Sequence, residues 1–338
     1  MSLALLRGAA HAGAMDPLGR LLAIALGVAC LAALPAAAEC VDAPDLAGYQ
    51  DATPADFAAG STASDRLGRV VAPVRVNGQG PFRFIVDTGA NRSVLSQALA
   101  TQLGLTPNGI GEVHSVHGVA PAPLVEVHSL RYGDLALGGA ELPMLNAGVL
   151  AGEQGLLGVD GMSGRRLRMD FERNCIEILP SRDARRLRGW AAIPGELRFG
   201  HLVVVRGSVN GVRVNLLVDT GSDSTLANNA LREALNARIR DTQVRIDFAI
   251  GVAPTRPVIL ERAMFLPRMR VGDLEVRNIT AFVGDFHIFR IWDLVEEPTL
   301  LIGMDVLSQA RGLAIDYERG TVYLHVRDDL RFGTRLRN

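Results

Sequence analysis

The feature that most constrains this chain is an internal repeat. Val76-Asn77-Gly78 leads into FRFIVDTGANRSVLS, residues 82–96, and Val209-Asn210-Gly211 leads into VNLLVDTGSDSTLAN, residues 214–228. Further on, Gly118-Val119-Ala120-Pro121 matches Gly251-Val252-Ala253-Pro254, and Gly133-Asp134-Leu135 matches Gly272-Asp273-Leu274. LLGVD, residues 156–160, leads to Asp170-Phe171-Glu172-Arg173, and LIGMD, residues 301–305, leads to Asp316-Tyr317-Glu318-Arg319. Landmarks repeated in one order mean that the chain is one structural unit built twice.

The unit reads as β structure. Short apolar runs rich in Val, Ile and Leu are bounded by Gly, Pro, Asn and Asp, as in Val70–Val76, Phe82–Val86, Val113–Val119 and Ile176–Leu179. One short helix is expected after each Asp-Thr-Gly, over Ser96–Leu103 and Asn228–Leu235. The expected division is a leader (1–38), a Pro/Ala/Asp-rich lead-in (39–66), an N-terminal lobe (67–180), an Arg-rich linker (181–195), a C-terminal lobe (196–326) and a tail (327–338). The fold class is therefore all-β, two homologous lobes each with a short helix.

In each lobe a carboxylate closes an apolar strand, Ile85-Val86-Asp87 and Leu217-Val218-Asp219. An unpaired carboxylate buried there is costly. A fold that places one twice, at equivalent positions, points to a pair meeting on a pseudo-two-fold axis. Two carboxyl groups at about 3 Å cannot both ionise, so they share a proton and hold a base and an acid at once. Such a pair can activate water for direct attack on an amide carbonyl. Thr88 and Thr220 have hydroxyls that can bond to the opposite loop, and Gly89 and Gly221 permit close backbone approach.

These residues resemble the signatures of the pepsin/retropepsin superfamily of aspartic peptidases. Asp-Thr-Gly plus a small residue, followed later by two apolar residues and a Gly, stands twice: DTGA with Leu156-Leu157-Gly158, and DTGS with Leu301-Ile302-Gly303. The spacing of the triplets, 219 − 87 = 132 residues, gives lobes as compact as fused retropepsin-type subunits, in the style of a bacterial two-lobed retropepsin-like protease. The resemblance implies a bilobal acid-protease fold over about residues 70–325, catalytic Asp87 and Asp219, and support from Thr88, Gly89, Ala90, Thr220, Gly221 and Ser222. It implies a Ser222 hydroxyl bonded to its carboxylate where Ala90 has none. It also implies a substrate-covering flap at Val116, His117, Gly118 and Val119. The GVAP match suggests a second flap at Ile250, Gly251 and Val252. The flap Tyr of pepsin-like enzymes is missing. No cofactor and no metal are implied.

Arg20, the apolar run Leu21–Leu34, Pro35 and Ala36-Ala37-Ala38 form the pattern of a secretory signal cleaved after Ala38. Met15 would serve as an alternative start. The run is shorter than an ordinary transmembrane helix, so no stable membrane insertion is expected after cleavage and the protein is placed in the periplasm or outside the cell. Cys30 goes with the leader. Cys40 and Cys175 remain and can pair in an oxidising compartment, tying the lead-in to the first lobe, or stay free. A net charge of −1 offers no footprint for nucleic acid. The basic residues are all Arg, which fits a codon bias.

Weaker features have simpler readings. His114, His117 and His128 hint at a metal but fit a solvated strand face. Phe286, Phe289 and Trp292, in an extension the first lobe lacks, fit local core better than a specificity pocket. Asp160 and Asp305 repeat, and read as structural. The expected function is aspartic endopeptidase, a monomer acting on polypeptide. Its rivals are a catalytically silent peptide-binding module and a retaining glycosidase, whose carboxylates would stand about 5 Å apart.

Overall fold

A computed structural model describes residues 41–42, 69–116, 118–133, 135–146, 148–171, 175–200, 202–235, 239–245 and 259–326. The first half runs β1 (Val41–Asp42), β2 (Val71–Val76), β3 (Gln79–Val86), β4 (Val94–Ser96), α1 (Gln97–Gln102), β5 (Pro107–His114), β6 (Val119–Tyr132), β7 (Leu135–Leu145), β8 (Gly155–Leu157), β9 (Arg165–Asp170) and β10 (Cys175–Pro180). The second half repeats it: β11 (Ala191–Arg198), β12 (Leu202–Val209), β13 (Val212–Val218), β14 (Leu226–Ala227), α2 (Asn229–Leu235), β15 (Ile239–Arg245), β16 (Ile259–Val271), β17 (Leu274–Val283), α3 (His287–Ile291), β18 (Thr299–Ile302), α4 (Met304–Leu307), β19 (Gly312–Asp316) and β20 (Thr321–His325).

The Asn-Gly landmarks are hairpin turns. Val76 pairs with Gln79 and Val209 with Val212, leaving two-residue loops. Asn77 and Gly78 take φ of 50° and 78°, Asn210 and Gly211 47° and 87°. Positive φ at both central positions matches the right-handed twist of the strands, and Asn-Gly tolerates it best. Each hairpin starts a barrel. In the first lobe the order is β2-β3-β8-β4-β7-β6, and β2 pairs back with β6. In the second it is β12-β13-β18-β14-β17-β16, closed by β12 on β16. Closure leaves no free edge in either six-stranded ring. The apolar alternation fills them: Val74, Phe84, Leu95, Val125, Leu142 and Leu157 in one, Val205, Leu216, Leu226, Leu266, Ala281 and Leu301 in the other are buried.

A third layer joins the lobes in the order β1-β10-β9-β19-β20-β11. At its centre β9 and β19 pair antiparallel, Asp170 opposite Gly312, Arg168 opposite Ala314 and Arg166 opposite Asp316. The repeat equates Asp170 with Asp316, so exchanging the lobes maps the first of these pairs onto the last. The pseudo-two-fold axis therefore passes through the Arg168–Ala314 pair. The flanks obey the same symmetry, Phe171 N–H donating to the Arg311 carbonyl and Tyr317 N–H to the Arg165 carbonyl.

The all-β bilobal class stands, with differences in detail. Both expected helices form one residue later, because Ser96 and Asn228 act as caps that accept from the N–H of Leu99 and Leu231. The second lobe adds α3 and α4. Residues 191–195 are not linker: β11 pairs with β20 and then with β12, stitching the joining sheet to the second barrel. Val113–Val119 is not one strand but the end of β5, a turn and the start of β6. In that turn Ser115 N–H donates to the Gly118 carbonyl. Cys175 is disulfide-bonded, and β1 lies beside it with Asp42 opposite Cys175. Cys40, its expected partner, lies outside the described residues, as do the leader and the tail.

Candidate active site

Asp87 and Asp219 stand where β3 and β13 end, and topology explains why they meet. β8 lies between β3 and β4, parallel to the first and antiparallel to the second. The chain leaving β3 must therefore cross the end of β8 before turning into β4. Gly158, the residue after β8, sits under that crossing. A methyl group there would lie 2.6–2.8 Å from the backbone of Arg92 and Ala90. The second lobe repeats the arrangement, and a methyl on Gly303 would lie 2.6 Å from the Ser224 carbonyl. This is the physical reason for two apolar residues and a Gly behind each loop.

A polar relay fixes each crossing. Ser93 gives its hydroxyl and N–H to Asp160 at 2.6 and 3.0 Å, and its oxygen accepts from Gly158 N–H. Thr225 gives its hydroxyl and N–H to Asp305 at 2.8 and 3.2 Å, and accepts from Gly303 N–H. Burial pushes the Asp305 carboxyl up, against the bonds from Thr225. Asp160 and Asp305 are thus structural. Ser93 and Thr225 were not singled out in the sequence. Their signal was there: each follows its aspartate by six residues, 93 − 87 and 225 − 219.

The two loops grip each other. The Thr88 hydroxyl donates to the Val218 carbonyl at 2.7 Å and accepts from Thr220 N–H at 3.1 Å. The Thr220 hydroxyl donates to the Val86 carbonyl at 2.6 Å and accepts from Thr88 N–H at 3.2 Å. Both threonines are buried, so these bonds are shielded from water. A methyl on Gly89 would stand 2.5 Å from Asp219 Cγ, and one on Gly221 would overlap Asp87. Each carboxyl therefore rests on the opposite loop's glycine.

Asp87 and Asp219 share a side-chain hydrogen bond. Gly89 N–H donates to Asp87 Oδ1 at 2.8 Å, while Gly221 and Ser222 N–H donate to Asp219 Oδ1 at 2.9 and 3.2 Å. Burial holds both carboxyls above the ordinary aspartate range. For Asp219 the neighbouring Asp87 adds to the rise. For Asp87 the bond from Asp219, the Gly89 N–H and the nearby Arg69 charge oppose it. Arg69 itself is clamped by Asp223, Nε to Oδ1 at 2.7 Å and Nη2 to Oδ2 at 2.8 Å, a bridge between the lobes. The pair can hold one proton between two oxygens, which makes it an acid and a base together.

One expectation needs correction. The Ser222 hydroxyl does not bond to Asp219; it donates to the Ser224 carbonyl at 2.8 Å, and the Ser222 N–H takes the carboxylate. The tight turn brings the backbone closer to the acid than the side chain, so Ala90 and Ser222 differ less than expected. Val116, Gly118 and Val119 lie at the tip of the β5–β6 hairpin, Val116 partly buried and Val119 exposed. β15 and β16 form the equivalent hairpin in the second lobe. Ile250, Gly251 and Val252 lie outside the described residues, as does His117. Phe286, Phe289 and Trp292 are buried core, as expected.

A search of curated proteins found no match. The family model described as aspartyl protease matches residues 72–160 and 205–306, one stretch in each lobe and more than half of the chain together. Two barrels, each delivering an Asp-Thr-Gly loop to a shared axis, are what that match spans, and the chain belongs to the aspartyl protease family.

Proposed function

We propose that this protein is an aspartic endopeptidase in which Asp87 and Asp219 activate water against a peptide bond. The observation that carries this reading is the contact of the two carboxyls, each supported by backbone N–H groups and locked by the crossed threonines. The ionised partner takes a proton from water as its oxygen attacks the carbonyl carbon. The protonated partner gives its proton to the carbonyl oxygen, forming a neutral tetrahedral diol. Collapse returns one proton to the dyad and passes another to the leaving nitrogen, so the C–N bond breaks and the protons balance. Neither step needs a covalent enzyme intermediate.

An extended polypeptide is the substrate class that suits a cleft between hairpins, where it can add as a strand. Both halves of the dyad come from one chain, so a monomer suffices. The leader-like N-terminal pattern and the disulfide at Cys175 support a reading in which the protein acts in the periplasm or outside the cell.

The test is cleavage of a peptide library by residues 39–338, read by mass spectrometry, beside Asp87→Asn and Asp219→Asn. The wild type should cut, and each variant should retain less than about one per cent of kcat/KM, since a pair acting as a unit fails when either member goes. A wild type without cleavage would favour the silent peptide-binding module. A variant that still turns over would remove the dyad from the mechanism.

A further inference from the structure

The lobes also touch at a place the repeat does not explain. His114 is the last residue of β5, one residue before the hairpin turn of the first lobe. His287 opens α3, which lies between β17 and β18 of the second lobe, where the first lobe has only a turn. His114 Nδ1 and His287 Nε2 are 3.1 Å apart, and the rings are parallel within 6° at a centroid separation of 5.4 Å. The two residues are 173 positions apart in sequence.

The second-lobe side of this contact is firmly held. Phe286, Phe289 and Trp292 bury the underside of α3. Asn228 Nδ2 donates to the carbonyls of Leu294 and Glu297, and Asn229 Nδ2 to Asp285 Oδ1. The first-lobe side is a hairpin end where His114 is exposed. The contact thus fastens a hairpin to a fixed post across the two lobes.

Two imidazoles at this distance bond only while one nitrogen can accept. With no added proton, one ring donates N–H to the other's lone pair. With one added proton the bond becomes charge-assisted. With two, donors and like charges face each other and nothing accepts. Imidazoles change charge between about pH 5 and 8. Among the described residues no carboxylate lies within 4 Å of either ring to offset a double charge. The ionisable groups around the contact are Glu112 two residues back on β5, Asp285 just before α3 and held by Asn229, Arg290 on α3, and Asp293 beyond it; β6 presents only Val119 and Pro121 opposite His114 and Glu112. Two rings fall short of the three or four ligands of a zinc centre.

We propose that His114 and His287 form a proton-released latch, tying the first-lobe hairpin to α3 near neutral pH and freeing it when both rings are protonated. The latch rests on the peptidase reading for its purpose: a hairpin that must lift to admit polypeptide would be held shut until the protein reaches acidic surroundings.

The test uses hydrogen exchange of the mature chain, with the hairpin amides from Val113 to Ala120 compared between pH 7.5 and 5 after correction for intrinsic exchange. In the wild type their protection should fall in acid by about two- to tenfold, the equivalent of one hydrogen bond. In His287→Ala, and independently in the surface variant His114→Ala, protection at pH 7.5 should already be at the low level and not change with pH. Wild-type protection that is constant with pH, or equal to that of His114→Ala at pH 7.5, would overturn the latch. In parallel, both variants should gain kcat/KM at pH 7.5 relative to the wild type and match it at pH 5. The exchange measurement needs no catalysis, so failure of the peptidase reading would silence the second readout alone.

Discussion

The surroundings of Asp219 oppose its charge. Its folded-state carboxyl holds a proton above the ordinary range because of burial and Asp87. The sign of the stability effect follows. The folded chain keeps a proton that the unfolded chain has released, so stability falls as pH rises from the unfolded value through the folded one. Asp219→Asn should therefore melt higher than the wild type at pH 7, by about 2–4 °C for each kcal/mol relieved, and the gap should close in acid. A lower melting temperature at pH 7 would show that the carboxylate is stabilised where it stands. The neighbours should respond unequally. Ser222→Ala should leave the pH profile of kcat/KM in place, because its hydroxyl serves Ser224. Arg69→Gln should move the acid limb to higher pH, since the guanidinium favours ionised Asp87 and its loss leaves Asp223 uncompensated nearby. A shift in the serine variant, or none in the arginine one, would reverse this assignment. The direction of the Ser222 hydroxyl was not legible in the sequence, because a rotamer choice between two acceptors leaves no trace in residue type.

At the scale of elements, the sequence was legible wherever geometry leaves one solution. Asn77-Gly78 and Asn210-Gly211 mark tight hairpins because few residues accept positive φ twice running. Gly158 and Gly303 mark the loop crossings because no side chain fits beneath them. What stayed hidden was chemistry carried by common residues at long range. Ser93 and Thr225 look like any strand hydroxyl until the strand order brings Asp160 and Asp305 to them, and His114 meets His287 only because α3 exists. The relay has a measurable weight. Thr225→Val keeps the shape and the backbone N–H bond to Asp305 but removes the hydroxyl bond to that carboxylate and leaves the Gly303 N–H without its partner, at a cost of about 1–3 kcal/mol. It should lower the melting temperature by several degrees and loosen the second loop. An unchanged melting temperature would mean that the crossing is held by packing alone.

At the scale of the molecule, the register of β9 on β19 maps onto itself when the lobes are exchanged, so by hydrogen bonding each central strand could equally pair with a copy of itself. The charges decide otherwise. The face of β9 carrying Arg166, Arg168 and Asp170 sums to +1, and the opposing face of β19, with Gly312, Ala314 and Asp316, sums to −1. Two copies of the first lobe would set Arg168 against Arg168 between two Arg166–Asp170 pairs, and two of the second would set Asp316 opposite Gly312, leaving it Arg319 but not the Arg166 it faces now. Like charges directly across a sheet repel, and opposite ones attract by roughly 0.2–1 kcal/mol. Residues 39–180 and 191–326, made as separate chains and mixed in equal amounts, should therefore assemble as unlike pairs, a preference native mass spectrometry would resolve and added salt would weaken. A statistical mixture of like and unlike pairs would show the bias to be negligible. Should the preference hold, one backbone pattern open to self-association has been made, by four charges and two small residues, into a lock that accepts only its sister half.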